Sequence, residues 1–104
     1  MAKKIKTLLV ANRGEIARRI FNTCKRNGIK TVAVYSSVDS KSNYVKEADI
    51  AVLLDGEDPI QSHMDSSQII KIAKKFDIDA IHPGYGFLSE NTSFAKKCKD
   101  ENIL

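Results

Sequence analysis

The sequence predicts an open parallel α/β sheet with helices on both faces, and three observations carry that prediction. Four short apolar runs recur along the 104 residues. Segments with the periodicity of amphipathic helices separate them. The first three runs are continuous rather than alternating, the pattern of strands covered on both faces. Composition agrees, because 42% hydrophobic against 29% charged residues describes a globular chain and not a disordered one. The length suits one domain, taken as residues 1–104.

The elements follow in order. Thr7-Leu8-Leu9-Val10-Ala11 reads as the first strand. The basic start before it is followed by too short an apolar stretch for a signal peptide. Ile16, Ala17, Ile20, Phe21 and Cys24 then share one helix face, with Arg18, Arg19, Asn22 and Lys25 opposite. Gly28 is placed to stop that helix. Thr31-Val32-Ala33-Val34-Tyr35 is the second strand, and a turn of helix is expected around Tyr44-Val45 and Ala48. Ile50-Ala51-Val52-Leu53-Leu54 is the third strand.

Ile69, Ile70, Ala73 and Phe76 form the next helix face, behind the candidate N-caps Asp65, Ser66 and Ser67. Asp79-Ala80-Ile81-His82 is the fourth strand. Phe94, Ala95 and Cys98 mark a last helix, capped by Asn91 or Thr92. The order β-α-β-(short α)-β-α-β-α implies right-handed crossovers and a Rossmann-like, doubly wound sheet. The chain stops at Ile103-Leu104, where a further strand is expected to begin, so it reads as a fragment of something longer.

Several function classes are disfavoured. No apolar run approaches the ~20 residues that span a bilayer, so no membrane partner is expected. Cys24 and Cys98 fall on apolar helix faces, read as small hydrophobes, and point to a reducing compartment. Neither His63 nor His82 has a carboxylate or cysteine at ligand spacing, so no metal site is expected. Nothing resembles a nucleophile–base triad or a working pair of carboxylates, so no catalytic residue is assigned within this chain. The 17 basic residues outnumber the 13 acidic ones, but they flank apolar stripes as solvated helix faces do. No aromatic residues interleave with them as a stacking surface for nucleic acid would require.

Ligands of such sheets meet the loops at the carboxyl ends of the strands, and two of those loops are unusual. Asn12-Arg13-Gly14-Glu15 joins the first strand to the first helix. Gly14 permits a sharp turn or close approach, and Glu15 complements the helix dipole. With a single glycine and no Gly-Lys-Ser/Thr, it is neither a dinucleotide fingerprint nor a P-loop. A helix start with a local Arg13–Glu15 charge pair is the simpler reading, and a ligand-facing turn stays open beside it. The second loop is His82-Pro83-Gly84-Tyr85-Gly86-Phe87-Leu88-Ser89-Glu90-Asn91. Pro83 ends the strand. Backbone N–H groups beside Gly84 and Gly86, with the Tyr85 hydroxyl, can face a substrate oxygen. Phe87-Leu88 is expected to turn back into the core. A strand-to-helix turn whose glycines serve geometry alone remains the alternative.

Together these segments resemble a known family. Leu9-Val10-Ala11-Asn12-Arg13-Gly14-Glu15-Ile16-Ala17, Gly28 to Ser36, Glu47-Ala48-Asp49 and the unbroken His82 to Asn91 are similar, in order and spacing, to the opening of biotin carboxylases. The resemblance implies the Rossmann-like domain that precedes an ATP-grasp fold. It implies a complete module that uses ATP and bicarbonate to carboxylate biotin held on a carrier domain, by way of carboxyphosphate. The residues that bind ATP and Mg2+ then belong to later domains outside this chain. Tyr85 and Gly86 match positions on the biotin side of the site and become the candidates for biotin contact. Asn12, Arg13, Gly14, Glu15, His82, Gly84, Glu90 and Asn91 become structural residues of the site loops.

The implied partners are the ATP-grasp and C-terminal domains of the same enzyme and the biotin carrier domain, with a homodimer possible. The implied location is the cytoplasm, or alternatively the mitochondrial matrix. The segment Gln61-Ser62-His63-Met64-Asp65 departs from the Ser-Tyr-Leu usual in relatives, and Asn22 and Arg26, on the helix face that the resemblance links to a dimer contact, stand where some relatives carry an arginine and a glutamate, so the same dimer mode is not assumed. A non-catalytic assembly module that docks on carboxylase subunits is the alternative role. The acyl acceptor of a parent enzyme belongs to the carboxyltransferase and is not written in these residues.

Overall fold

The computed structural model describes residues 5–55, 65–83, 92–101 and 103. Along them run β1 (Thr7–Val10), α1 (Gly14–Arg26), β2 (Lys30–Tyr35), a single 3-10 turn (Ser37–Asp39) and α2 (Asn43–Glu47). They continue with β3 (Ile50–Leu53), α3 (Ser66–Lys75), β4 (Ala80–His82) and α4 (Thr92–Asp100). The four strands form one sheet in the order β3-β2-β1-β4. Every pairing is parallel: Leu8 lies opposite Thr31 and Ala80, and Val32 lies opposite Ile50. The doubly wound α/β architecture expected from the sequence is the one observed. Phe87, Leu88 and the candidate cap Asn91 lie outside the described residues.

Alternation along the strands divides the core into two layers, because successive side chains point to opposite faces. Leu9, Ala11, Val32 and Val34 face α3 and α4, where Ile69, Ile72, Ala73, Phe94 and Cys98 close over them. Val10 and Ala33 face the other way, against Ala17 and Phe21 of α1 and Tyr44 of α2. Leu9, Val32, Val34 and Ile69 are wholly buried, each contributing about 1.5–3 kcal/mol through the apolar area removed from water.

β3 departs from expectation. Its continuous apolar run predicts cover on both faces, yet Leu53 is 54% exposed. Register explains this. Ile50 and Val52 align with Val32 and Val34 and share their layer. Ala51 and Leu53 align with Ala33 and Tyr35, on the face where five-residue α2 is too short to reach across the edge strand.

Short-range chemistry sets the ends of the elements. After α1, Gly28 takes a left-handed φ of +70°, and the Ile29 N–H donates to the Cys24 carbonyl at 2.9 Å. That is a Schellman closure, which satisfies carbonyls the helix leaves free. α3 ends the same way, with Ile78 N–H on the Ala73 carbonyl and Asp77 at φ +52°. Of the candidate caps for α3, Asp65 is the one that accepts from the Gln68 N–H.

Carboxylates also stitch the amino ends of the strands. Asp79 accepts from the Lys6 and Thr7 N–H groups. Asp49 accepts from the Thr31 N–H at 2.8 Å, while the Thr31 hydroxyl accepts from the Asp49 N–H at 3.0 Å.

A Cβ built on Gly28 meets nothing within 4 Å, so a side chain there strains only the backbone. Gly28→Ala is expected to cost about 1–2 kcal/mol, the penalty for a left-handed L-residue. Urea unfolding checks this, and an unchanged midpoint would refute the role assigned to the left-handed turn.

Candidate functional site

Strand order places the site. The chain leaves β1 for β2 and β3 on one side, then returns to β4 on the other, so the order reverses between β1 and β4. Diverging loops open a crevice at such a point, beyond the carboxyl ends of the two strands. The described residues that leave these strands, Ala11 to Gly14 and Pro83, begin the two loops singled out from the sequence. The Ala11 N–H donates to the His82 carbonyl at 3.0 Å, extending the ladder one step past β1. Asn12, only 2% exposed, follows. Its Nδ2 donates to the Pro83 carbonyl at 2.7 Å, and its Oδ1 accepts from the Arg13 N–H at 2.8 Å. One side chain thus joins the start of one loop to the start of the other.

Arg13 caps α1 from an extended backbone, and Gly14 then turns at φ +59°. The Arg13 side chain does not pair with Glu15, contrary to expectation. Its Nε and Nη2 donate to the two oxygens of Asp39, at 2.5 and 2.8 Å. Asp39 is buried in the turn after β2 and also accepts from the Tyr44 hydroxyl at 2.8 Å. The reason is geometric: residues two apart at a helix start do not face each other, and the loop after β2 lies beside the loop after β1. Glu15 is mostly exposed and meets Arg18, three residues on, at 3.5 Å. Arg18 in turn forks onto Glu47 of α2, its Nε and Nη2 donating at 3.1 and 3.0 Å.

The electrostatic consequences follow from this contact set. The hydrogen bonds to Asp39 raise the Arg13 guanidinium above its usual value, with burial opposing them. Burial first, then the bond to Asp39, pushes the Tyr44 phenol well above its ordinary range. Burial likewise raises the thiols of Cys24 and Cys98, which are 4% and 6% exposed. Both are free of a disulfide, and neither is activated as a nucleophile.

Of the residues singled out from the sequence, Asn12, Arg13, Gly14, Glu15 and His82 come together around the end of β1. The His82 side chain is exposed, and its carbonyl completes the ladder. Gly84, Tyr85, Gly86, Glu90 and Asn91 lie outside the described residues. Sequence reasoning missed Asp39, Tyr44 and the Pro83 carbonyl. The usable signal for Asp39 was topological: loops after neighbouring parallel strands sit side by side, so an acid after β2 falls within reach of a base after β1. Among the described residues no group of three or more His, Cys, Asp or Glu could hold a metal ion. Among them no helix is long and apolar enough to cross a membrane.

A parallel α/β sheet whose strand order reverses between β1 and β4 belongs to the doubly wound class, whose ligands meet the loops at the carboxyl ends of the strands. Comparison with known proteins makes the assignment specific. Residues 4–104 match the family model described as biotin carboxylase, N-terminal domain, and the chain belongs to that family. It is 55% identical over 97 residues to biotin carboxylase 2 of Bacillus subtilis, across 93% of this chain and 22% of that protein. It is 53% identical over 103 residues to the pyruvate carboxylase of the same organism, across 98% of this chain and 9% of that one.

Among solved structures, the biotin carboxylase domain of the Hydrogenobacter thermophilus 2-oxoglutarate carboxylase superposes with a TM-score of 0.92 at 43% identity. The match covers 98% of this chain and 22% of that one, which was solved as a dimer with MgADP, ADP and bicarbonate. The chain therefore spans about a fifth or less of the length of these relatives.

Two outcomes are expected from the Asp39 cluster. Asp39→Ala leaves the buried Tyr44 hydroxyl without its acceptor and should cost about 2–3 kcal/mol, read as a lower denaturant midpoint. Because the fold raises the Tyr44 phenol, the folded state holds its proton where the unfolded chain, near pH 10, releases it. Stability from this group is full below about pH 10 and is lost as pH rises through the higher folded value. In an alkaline titration of phenolate absorbance, Tyr44 should ionise only together with unfolding, and Tyr44→Phe should remove that step. Ionisation of Tyr44 at the ordinary value in the still-folded protein would contradict the buried bond.

Proposed function

We propose that this chain is the N-terminal domain of a biotin carboxylase, the module that carboxylates carrier-held biotin using ATP and bicarbonate. The observation that carries the reading is the family match over residues 4–104. The strand order supports it, because β4 ends at the switch point, where ligands of such sheets bind. In this reading Tyr85 and Gly86 face biotin, the phenol and a backbone N–H being donors suited to its ureido oxygen. Asn12, Arg13, Gly14, Glu15, His82, Gly84, Glu90 and Asn91 shape the loops around them.

ATP and Mg2+ are held by ATP-grasp and C-terminal domains that this chain does not include, and biotin arrives on its carrier domain. The groups that make and break bonds are therefore supplied elsewhere. What this chain contributes is position: β1 and β4 fix where the loops start, and Asp39 fixes the entry to α1. Dimerisation of the whole module accords with the Hydrogenobacter domain dimer. A cytoplasmic setting accords with two free, buried cysteines.

The test is a chimera in which this chain replaces the matching residues of the 55% identical relative. The chimera should show biotin-stimulated, bicarbonate-dependent ATP turnover, and the chain alone should show none. A folded chimera without that turnover, beside an active parent, or turnover by the isolated chain at the parent's rate, would count against the assignment.

A further inference from the structure

Six asparagines occur in the chain, and Asn27 alone precedes a glycine. That dipeptide is chemically reactive, because Gly28 sets no Cβ beside its own nitrogen and lets the backbone rotate freely. The nitrogen can attack the Asn27 carboxamide carbon and close a succinimide ring. Both residues are exposed, so water and base reach them. The folded end of α1 nonetheless commits each reacting group elsewhere. Ring closure needs the Asn27 Cβ and the Gly28 nitrogen eclipsed about the Cα–C bond, whereas at ψ 8° they lie far apart about it. The Gly28 N–H donates to the Lys25 carbonyl at 3.3 Å. The Asn27 carboxamide points back along the helix, its Nδ2 donating to the Thr23 carbonyl at 2.7 Å. The Ile29 N–H, on the Cys24 carbonyl at 2.9 Å, closes the turn around them.

We propose that Asn27 is a latent self-modification site, kept from deamidating by the closed end of α1 and released when that end opens. In the step, the Gly28 nitrogen gives its proton to solvent base and bonds to the Asn27 Cγ. The bond from Cγ to the side-chain nitrogen breaks, and that nitrogen leaves as ammonia. Water then opens the ring at either carbonyl, leaving aspartate or isoaspartate at position 27. Neither product restores the closure. Both lack the donor to the Thr23 carbonyl and set a carboxylate at the negative end of the helix dipole. Isoaspartate also adds a methylene to the backbone between Cys24 and Ile29. The end of α1 is then out of step with Lys30, whose N–H donates to the Lys6 carbonyl at 2.9 Å where β2 meets β1. A passing opening of the helix end thus becomes a lasting change.

The test ages the 104-residue chain in a mildly alkaline buffer, with and without guanidinium chloride above its unfolding midpoint. Mass spectrometry follows amide-to-acid conversion in the peptide that contains Asn27. Isoaspartate is read separately, by methyl transfer from S-adenosylmethionine with an isoaspartyl methyltransferase. Conversion in the folded chain should be slower by about tenfold or more, the protection expected of a closed helix end over an open one. Asn27→Gln keeps an amide donor but needs a larger ring, so it should show no conversion in either condition. Returned to native buffer, the aged chain should unfold at a lower denaturant midpoint than Asn27→Gln aged beside it.

Equal rates in the folded and unfolded chain overturn the proposal, since the closed end then protects nothing. No conversion in the unfolded chain overturns it as well. Slow conversion when folded, followed by a midpoint equal to that of aged Asn27→Gln, overturns the lasting change and the role given to the site. An aged chain that fails to refold, where aged Asn27→Gln refolds, supports the proposal in its strongest form.

Discussion

β1 is paired on both edges, and the rest of the molecule hangs from its carboxyl end. β2 and β4 both run parallel to it, so all three strands end at the same edge of the sheet. Two buried polar contacts lock them together. Asn12 ties the β1 loop to Pro83 after β4, and Arg13 ties it to Asp39 after β2. Each contact comes from a residue directly following the central strand, the position from which both neighbours are within side-chain reach.

The Asp39 cluster shows how a small domain keeps a charge in its interior. An isolated carboxylate there would be costly to desolvate. Asp39 instead receives two guanidinium N–H groups and a phenol, while Arg13 remains partly open to water. The arrangement links the start of α1, the turn after β2 and the body of α2. The Arg18–Glu47 fork repeats that link at the surface, where solvent leaves such a pair worth little. Of the two links between the helices on this face, the buried one carries the stability.

Division of labour follows from the same geometry. Among the described residues at the end of β1, none is arranged as an acid, a base or a nucleophile: the thiols are buried, the phenol of Tyr44 is held protonated, and Arg13 is committed to Asp39. Rigidity is what these residues supply.

The sequence alone determined the element order, the two-sided core and the family. Local information sufficed for these: continuous apolar runs at β1 and β2, the helix face from Ala17 to Cys24, the stop at Gly28, and the unbroken string from His82 to Asn91. Even the block Glu47-Ala48-Asp49 stood out, although its reasons did not. Those became visible only when Glu47 met Arg18, Ala48 joined the α1 layer and Asp49 met Thr31. What the tertiary structure decided was pairing across distance. Arg13 took Asp39 over the nearer Glu15, β3 left Leu53 exposed at an edge, and Asn12 reached a carbonyl 71 residues away. Periodicity reports which face a residue occupies, whereas partners are set by which strands lie side by side, and that order exists only once the chain has folded.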